Sequence, residues 1–213
     1  MKGSSADFKS DAMSRKGRME KILQTPLDAK MVGSLRVGDT VLLSGTIYTG
    51  RDALHKFLFE NKEATGLPID LKGAVIYHCG PIVVKDGKGW KVAAAGPTTS
   101  YRTSPYISEI VRRYGVRAFI GKGGLSPAAS SSLGKYGAAY LSAAGGCAQV
   151  LAESIVKVLD VFYYEEFGPP EAVWKLEVRD FPLLVTIDSH GGDIHGDVSR
   201  LSASRLLRAG ARR

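Results

Sequence analysis

Short apolar runs that pass through a turn into a helical pattern recur along this chain, and they constrain its fold more than any other feature. Residues 92–95 and 116–120 are two such runs, each followed by a glycine-containing turn. Short apolar runs bounded by turn signals predict buried strands. An earlier portion with strands over residues 40–47 and 73–77 precedes this alternation. The order predicts a single α+β domain with helices packed over a sheet.

Capping residues mark the ends of two helices. Ser104-Pro105 begins the first helix, because proline is favoured in the first turn, and Gly115 ends it. Ser126-Pro127 repeats this start, and the second helix ends near Gly137. Each of these helices therefore follows a turn that carries a cationic side chain.

The remaining segments predict a further helix and strand. We expect a helix over residues 148–157 and a strand over residues 158–164, with Glu165-Glu166 at the end of that strand or in an interface. Adjacent strand residues point to opposite faces, so these two carboxylates are not expected to enter one site. Thr49 is the predicted N-cap of an earlier helix that contains Leu54.

Three turns each place one fixed cation beside hydroxyls or glycine amides: Arg51, Arg102 and Lys122. In strand–helix units the turns that follow the strands collect at one edge, where helix N-termini and free amides attract anions. Arg102 and Lys122 are therefore expected to face a common crevice. A cation at a helix start, such as Arg51, opposes the helix dipole. Either Asp52 or a bound carboxylate would compensate it.

The hydroxyls and glycines of these turns, and the histidines of the chain, also have a purely structural interpretation. Thr98, Thr99 and Ser100 are of the types that satisfy turn and helix-start amides. Gly-Lys-Gly-Gly around Lys122 is compatible with a left-handed turn. It is not a phosphate-binding loop, because no glycine stands five residues before Gly121 and no Ser or Thr follows the lysine. Without metal-ligand spacing, helix-face or loop roles are expected for His55, His78, His190 and His195.

Several longer motifs resemble one known family. Residues 45–52 (GTIYTGRD), 95–99 (AGPTT) and 120–123 (IGKG), together with Arg102, are similar to the β subunit, or C-terminal half, of class I fumarate hydratases and the closely similar L-tartrate dehydratases. The resemblance covers roughly residues 23–193. Several long motifs in one order are more specific than one glycine pattern. Further matching segments are residues 67–77 and 181–189.

The resemblance implies a swivelling β/β/α fold and an iron–sulfur hydro-lyase that adds water to fumarate to give L-malate. It also implies a four-iron four-sulfur (4Fe-4S) cluster held by three cysteines, whose open iron acts as a Lewis acid on the substrate hydroxyl. This chain has only Cys79 and Cys147, without a C-x-x-C spacing. We therefore expect no metal ligand in this chain and a cluster-bearing α subunit as its partner in a hetero-oligomer.

Carried over by position, the resemblance assigns Arg51, Arg102, Lys122 and Thr99 to substrate binding and Thr98 and Lys122 to catalysis. A dicarboxylate substrate requires at least two cationic partners, and arginine offers planar bidentate donors. Removing a proton next to a carboxylate builds further negative charge, which a lysine stabilises. A threonine hydroxyl is a poor base unless it is activated, here by Lys122 or by an acid from the partner.

The positive charge lies mainly outside the central segment. The formal net charge is +8, of which residues 1–20 carry +2 and residues 196–213 carry +4. Because a nucleic-acid face would concentrate cations on the folded part, we expect no nucleic-acid partner. We predict a disordered extension over residues 1–20, one domain over residues 21–195 and a basic tail or helix over residues 196–213.

Three functional hypotheses remain after these arguments. The chain is the β subunit of a fumarase, the β subunit of an L-tartrate dehydratase, or a carboxylate-binding domain without catalysis. No segment reaches the roughly 18 uninterrupted apolar residues of a membrane helix, so no membrane association is expected. Two cysteines and no signal-peptide pattern predict a reducing cytoplasmic location.

Overall fold

Strands and helices follow one another in the order expected of an α+β domain. The structure, a computed structural model, describes residues 19–61, 66–87 and 89–210. Its strands are β1 (Glu20–Gln24), β2 (Thr40–Thr49), β3 (Val75–Tyr77), β4 (Ile82–Asp86), β5 (Gly89–Ala94), β6 (Ala118–Gly121), β7 (Ala139–Ser142), β8 (Ile155–Phe162) and β9 (Val173–Ile187). Its helices are α1 (Ala29–Gly33), α2 (Asp52–Glu60), α3 (Ser104–Tyr114), α4 (Pro127–Tyr136), α5 (Ala148–Glu153), α6 (Tyr164–Phe167) and α7 (Ile194–Gly210), and a 3-10 helix covers Ser100–Thr103.

Five strands close on themselves into a small barrel-like sheet. Strands β2, β3, β6 and β7 lie side by side and run parallel. The long strand β9 runs antiparallel and pairs with β7 and with β2, which joins the two ends of the parallel set. Strand β1 extends the sheet from β2, and β8 extends it from β9. Strands β4 and β5 form a separate hairpin.

Both faces of the parallel strands are buried, which explains their continuous apolar sequences. In β6, Ala118 and Ile120 belong to the cluster inside the barrel-like sheet, whereas Phe119 belongs to a second cluster beneath the helices. The alternation repeats in the neighbouring strands, because successive side chains of a strand point to opposite faces. Helices α2, α3 and α4 cover the outer face with apolar residues that include Leu54, Leu58, Ile107, Ile110, Val111 and Leu133.

The helix boundaries with strong local signals are as predicted. Helix α3 begins at Ser104 and ends before Gly115, which has the left-handed conformation at φ 67°. Helix α4 follows Ser126, whose side chain accepts a hydrogen bond from the amide of Ala129. Gly137 ends α4 in the left-handed region at φ 69°.

Other boundaries differ from the prediction because tertiary pairing overrides the local pattern. Helix α5 ends at Glu153, not at residue 157, since the chain from Ile155 onward pairs with β9. Glu165 and Glu166 lie in the short helix α6 and not at a strand end. Thr49 does not cap α2. It is fully buried, and its hydroxyl bonds to the backbone of the segment that leads into β9.

The predicted N-terminal extension lies, through residue 18, outside the described residues. At the other end, α7 covers most of the basic C-terminal segment. Its apolar residues Val198, Leu201 and Leu206 are exposed to solvent. None of the helices in the described parts of the chain is long and apolar enough to cross a membrane.

The barrel interior leads to a stability prediction for Phe181. This side chain is fully buried, and its ring meets Tyr77 edge-on at 5.5 Å between centroids. Phe181→Ala should lower the free energy of unfolding by about 3–5 kcal/mol because it leaves a cavity. Leu206→Ala is the control, since Leu206 is 73% exposed. It should change stability by less than about 0.5 kcal/mol. Equal losses in chemical denaturation would contradict this placement.

Candidate active site

The site region is organised by a gap that opens between β3 and β6 at their carboxyl ends. The amide of His78 still bonds to the carbonyl of Ile120 at 2.7 Å, but beyond this point residues 98–100 lie between the two strands. Thr98 donates its amide to the His78 carbonyl at 2.7 Å, and Lys122 donates its amide to the Thr98 carbonyl at 3.2 Å. The amide of Ser100 then bonds to the Lys122 carbonyl at 3.0 Å. Two of the predicted site segments are therefore joined by backbone hydrogen bonds.

Arg51 occupies the N-cap position of α2, and a carboxylate from another segment compensates its charge. Its Nε atom lies 3.3 Å from Oε1 of Glu171, and the Arg51 side chain is 24% exposed. Glu171 also accepts a hydrogen bond from the amide of Ala53 at 3.0 Å, so it satisfies the helix start as well. Of the two partners considered for Arg51, Asp52 does not compensate its charge within this chain, because Glu171 takes that position.

Asp52 instead pairs with the second arginine of the site. Nη2 of Arg102 lies 3.0 Å from Oδ2 of Asp52, and each side chain is about half exposed. An exposed ion pair of this kind contributes little stability. Arg102 can therefore exchange Asp52 for a ligand carboxylate at small cost. Because Asp52 follows Arg51 directly, this pair also brings the two arginine-bearing segments together.

Lys122 is the cation of the site that lacks a compensating charge. Its side chain is exposed, and the described residues place no carboxylate within 4 Å of it. The stem of the side chain lies near Gly145, where an added Cβ would be 3.7 Å from the Lys122 Cδ atom. An uncompensated ammonium group at the edge of the sheet is suited to bind an anion.

The three successive hydroxyls after Pro97 have different environments. The Thr98 hydroxyl donates to the His78 carbonyl at 3.0 Å, which leaves its lone pairs free to accept. Thr99 is exposed beside the Lys122 backbone, with which it forms an isolated parallel bridge. Ser100 is fully buried and points away from the crevice into the protein. Thr98 and Thr99 therefore line the edge, whereas Ser100 supports it from below.

Sequence reasoning missed a pair of buried histidines beneath the site. His55 and His78 are both almost inaccessible to solvent, and their Nε2 atoms lie 3.1 Å apart. Burial is the main cause that lowers the pKa of each ring, to about 4 for His55 and well below the ordinary 6.5 for His78. Both imidazoles are therefore neutral at neutral pH. The one available signal was the position of His55 on the helix face that carries Leu54 and Leu58.

The chain's own residues do not fit an iron–sulfur cluster. Burial raises the pKa of the Cys79 thiol to about 12, so it is protonated at neutral pH, whereas cluster ligands are thiolates. Cys147 is partly buried at the start of α5. In the described parts of the chain, no three His, Cys, Asp or Glu residues are placed to hold a metal ion.

Comparison with known proteins agrees with the motifs. The sequence pattern of the fumarase C-terminus family matches residues 3–198. The chain belongs to this family. The family resemblance predicted from the motifs is therefore confirmed, and so is the α+β fold.

Named relatives of this fumarase C-terminus protein fall into two groups. A Geobacillus stearothermophilus protein provisionally named class I fumarate hydratase is 46% identical over 86% of this chain. The chain spans only 35% of that relative's length. A Methanocaldococcus jannaschii protein provisionally named L(+)-tartrate dehydratase subunit beta is 43% identical over 84% of this chain and 93% of its own length. The L(+)-tartrate dehydratase subunit beta of Escherichia coli K12 is 39% identical, over 88% and 92% respectively.

The buried histidines predict a loss of stability in mild acid. In the unfolded chain each imidazole takes up a proton as the pH falls below about 6.5, whereas the folded chain resists protonation until the pH reaches the lowered pKa values. The contribution of the two histidines to the free energy of unfolding is therefore fully present above about pH 6.5 and decreases as the pH falls below that value. Two protons correspond to a fall of about 2 kcal/mol in the free energy of unfolding between pH 6 and pH 5.

Urea denaturation at several pH values measures this slope. Carboxylates also titrate in acid, so the informative quantity is the difference between the wild type and His55→Asn. Asparagine keeps a donor toward the Arg51 carbonyl, which His55 Nδ1 contacts at 2.7 Å. In the variant, the number of protons taken up on unfolding, read from the pH slope of the free energy of unfolding, should be smaller by about one. An unchanged slope would show that His55 binds protons equally in the folded and unfolded chains, which would contradict its lowered pKa.

Proposed function

We propose that this chain is the β subunit of an iron–sulfur hydro-lyase that reversibly hydrates fumarate to L-malate. The observation that carries the proposal is the grouping of Arg51, Arg102 and Lys122 at one edge of the sheet, in contacts shared with Thr98 and Asp52. A dicarboxylate needs two cationic partners, and a hydro-lyase needs a third positive group for the charge that develops in the transition state. A dicarboxylate ligand would account for three cations at one edge, and Lys122 has no carboxylate within 4 Å among the described residues.

Substrate binding is assigned to Arg51, Arg102, Lys122 and Thr99. Arg102 is half exposed and loses little when it leaves Asp52, so it can form a bidentate contact with one substrate carboxylate. Arg51 keeps its Nε side toward Glu171, which orients the guanidinium. Thr99 offers an exposed hydroxyl beside Lys122.

Proton transfer is assigned to Thr98 with Lys122. In the dehydration direction Thr98, activated by loss of its own proton, takes up the proton from C3 of malate, and the C–H electron pair forms the double bond. The hydroxyl at C2 takes up a proton from an acid of the partner and departs as water. Before activation, the Thr98 hydroxyl donates to the His78 carbonyl, which leaves its lone pairs free at the crevice. Lys122 stabilises the negative charge that builds on the neighbouring carboxylate. Thr98 still requires activation, by Lys122 or by an acid of the partner.

A cluster-bearing α subunit completes the proposed site. The cluster supplies Lewis-acid chemistry at the substrate hydroxyl, and the cysteines of this chain do not fit it. Two relatives that match this chain over 92–93% of their length are named subunit beta, which supports a hetero-oligomer. The longer Geobacillus relative is consistent with both parts in one polypeptide.

L-tartrate is the second candidate substrate. The two subunit-beta relatives carry tartrate dehydratase in their names, and their lengths match this chain more closely than the fumarate hydratase relative does. Tartrate has one more hydroxyl than malate, and the same two carboxylates. Arg51, Arg102 and Lys122 would bind either substrate, so discrimination depends on groups that contact the additional hydroxyl.

The first experiment is an anaerobic assay of this chain with a cluster-bearing α chain after iron–sulfur reconstitution. We expect conversion of fumarate or L-tartrate only in the mixture, and the ratio of kcat/KM for the two substrates identifies the preferred one. Each chain alone is the control. Inactivity of a verified, cluster-loaded complex on both substrates would contradict the hydro-lyase and favour a carboxylate-binding domain without catalysis.

The role of Thr98 leads to a second prediction for the same complex. Thr98→Ala should lower kcat by about 100-fold or more, because general acid–base groups contribute factors of that size. KM should change by less than about threefold. Thr98→Ser keeps the hydroxyl and is the matched control, with most of the activity retained. If Thr98→Ala instead raised KM and left kcat intact, Thr98 would be a binding residue.

A further inference from the structure

A continuous chain of buried hydrogen bonds runs beneath the three cation-bearing turns. The Tyr140 hydroxyl lies 2.8 Å from Ser100 Oγ, and Ser100 Oγ lies 2.7 Å from His78 Nδ1. His78 Nε2 is 3.1 Å from His55 Nε2, and His55 Nδ1 is 2.7 Å from the carbonyl of Arg51. The four linking side chains are each 1% exposed or less. None of them has a role in the proposed substrate contacts.

The chemistry of these groups fixes the direction of every hydrogen bond. The Arg51 carbonyl only accepts, so His55 carries its proton on Nδ1. Since burial keeps His55 neutral, its Nε2 has no proton and must accept from His78 Nε2. His78 is neutral as well, so its Nδ1 accepts from the Ser100 hydroxyl. Ser100 in turn accepts from Tyr140. The protons therefore point in one direction, from Tyr140 to Arg51.

Each of the three turns is attached to this chain. The first turn is held by the Arg51 carbonyl itself. The second turn has two attachments. Its residue Ser100 belongs to the hydrogen-bonded chain, and the His78 carbonyl accepts hydrogen bonds from both the amide and the hydroxyl of Thr98. The third turn contacts the chain at Gly121, where an added Cβ would overlap Ser100 Oγ and lie 3.1 Å from His78 Nδ1. The three turns are therefore connected through one set of buried side chains.

Packing alone does not require polar groups at this position. The two imidazoles lie beside Phe119, with ring centroids 6.1 Å and 5.6 Å away, in a region otherwise filled by apolar side chains. Buried polar groups carry a desolvation cost, and a fully satisfied network gives geometric specificity in return. Because this network lies beneath the cation-bearing turns and contacts each of them, the geometry that it specifies is that of the turns.

We propose that His78, with His55, Ser100 and Tyr140, is a positioning residue that fixes the spacing of Arg51, Thr98 and Lys122. The activity part of this inference rests on the proposed hydro-lyase function. A catalytic group displaced by about 1 Å can lose a factor of about 100 in rate, so a rigid chain beneath the turns has a direct effect on turnover.

Tyr140→Phe in the complex with the α subunit is the activity test. It removes the first donor of the chain without opening a cavity. The matched control is Tyr114→Phe, which removes another buried tyrosine hydroxyl, bonded to the Leu58 carbonyl at 2.8 Å, at the end of α3. Tyr140→Phe should lower kcat at least tenfold with KM changed less than threefold, and Tyr114→Phe should stay within twofold of wild type. Equal effects of the two variants on kcat would overturn the positioning role.

Nitrogen-15 NMR of the imidazole rings tests the same chain without any activity measurement. In the free wild-type chain His55 should be the neutral Nδ1–H form and His78 the neutral Nε2–H form. Any other tautomer, or a charged ring at pH 7, overturns the directional chain even if the enzyme is active. The expected tautomers in an inactive wild-type complex would support the chain and count against the hydro-lyase, so the two failures are distinguishable.

Discussion

The separation of β3 and β6 at their carboxyl ends is the constraint on which the site depends. Backbone groups freed at a split between two parallel strands must find partners, because buried amides and carbonyls are rarely left unpaired. Residues 98–100 provide those partners by bonding to His78 on one side and Lys122 on the other. The requirement to satisfy the backbone thereby brings a threonine-rich turn and a lysine-bearing turn into register. Arg102 follows in the adjoining 3-10 helix.

The three cations around this split differ in how far carboxylates of the chain compensate their charge. Arg51 has Glu171 as a partner with little solvent access, Arg102 shares an exposed pair with Asp52, and Lys122 has no carboxylate near it in the described residues. The three cations thus range from paired and partly buried to exposed and uncompensated. A ligand with two carboxylates would complete the balance without disturbing Glu171, which also serves the start of α2.

Rigidity below the crevice complements adaptability at its surface. The exposed groups can change partners, while the histidine, serine and tyrosine side chains beneath them are buried and fully hydrogen-bonded. The barrel-like sheet supports both layers, since its parallel strands deliver the turns to one edge. Under the proposed function this half of the site would act as a rigid body against a partner that carries the cluster.

The sequence alone determined the parts of the fold that depend only on residues close together along the chain. The proline-containing start at Ser104 and the left-handed glycine at residue 115 fix α3 within a few residues, and the family motifs marked the cation-bearing turns. Tertiary structure decided what depends on distant segments. Pairing with β9 shortened α5, and Glu171, over 100 residues from Arg51, became its partner. The histidine chain also required the folded structure, because only packing brings His55 and His78 into contact and removes them from water.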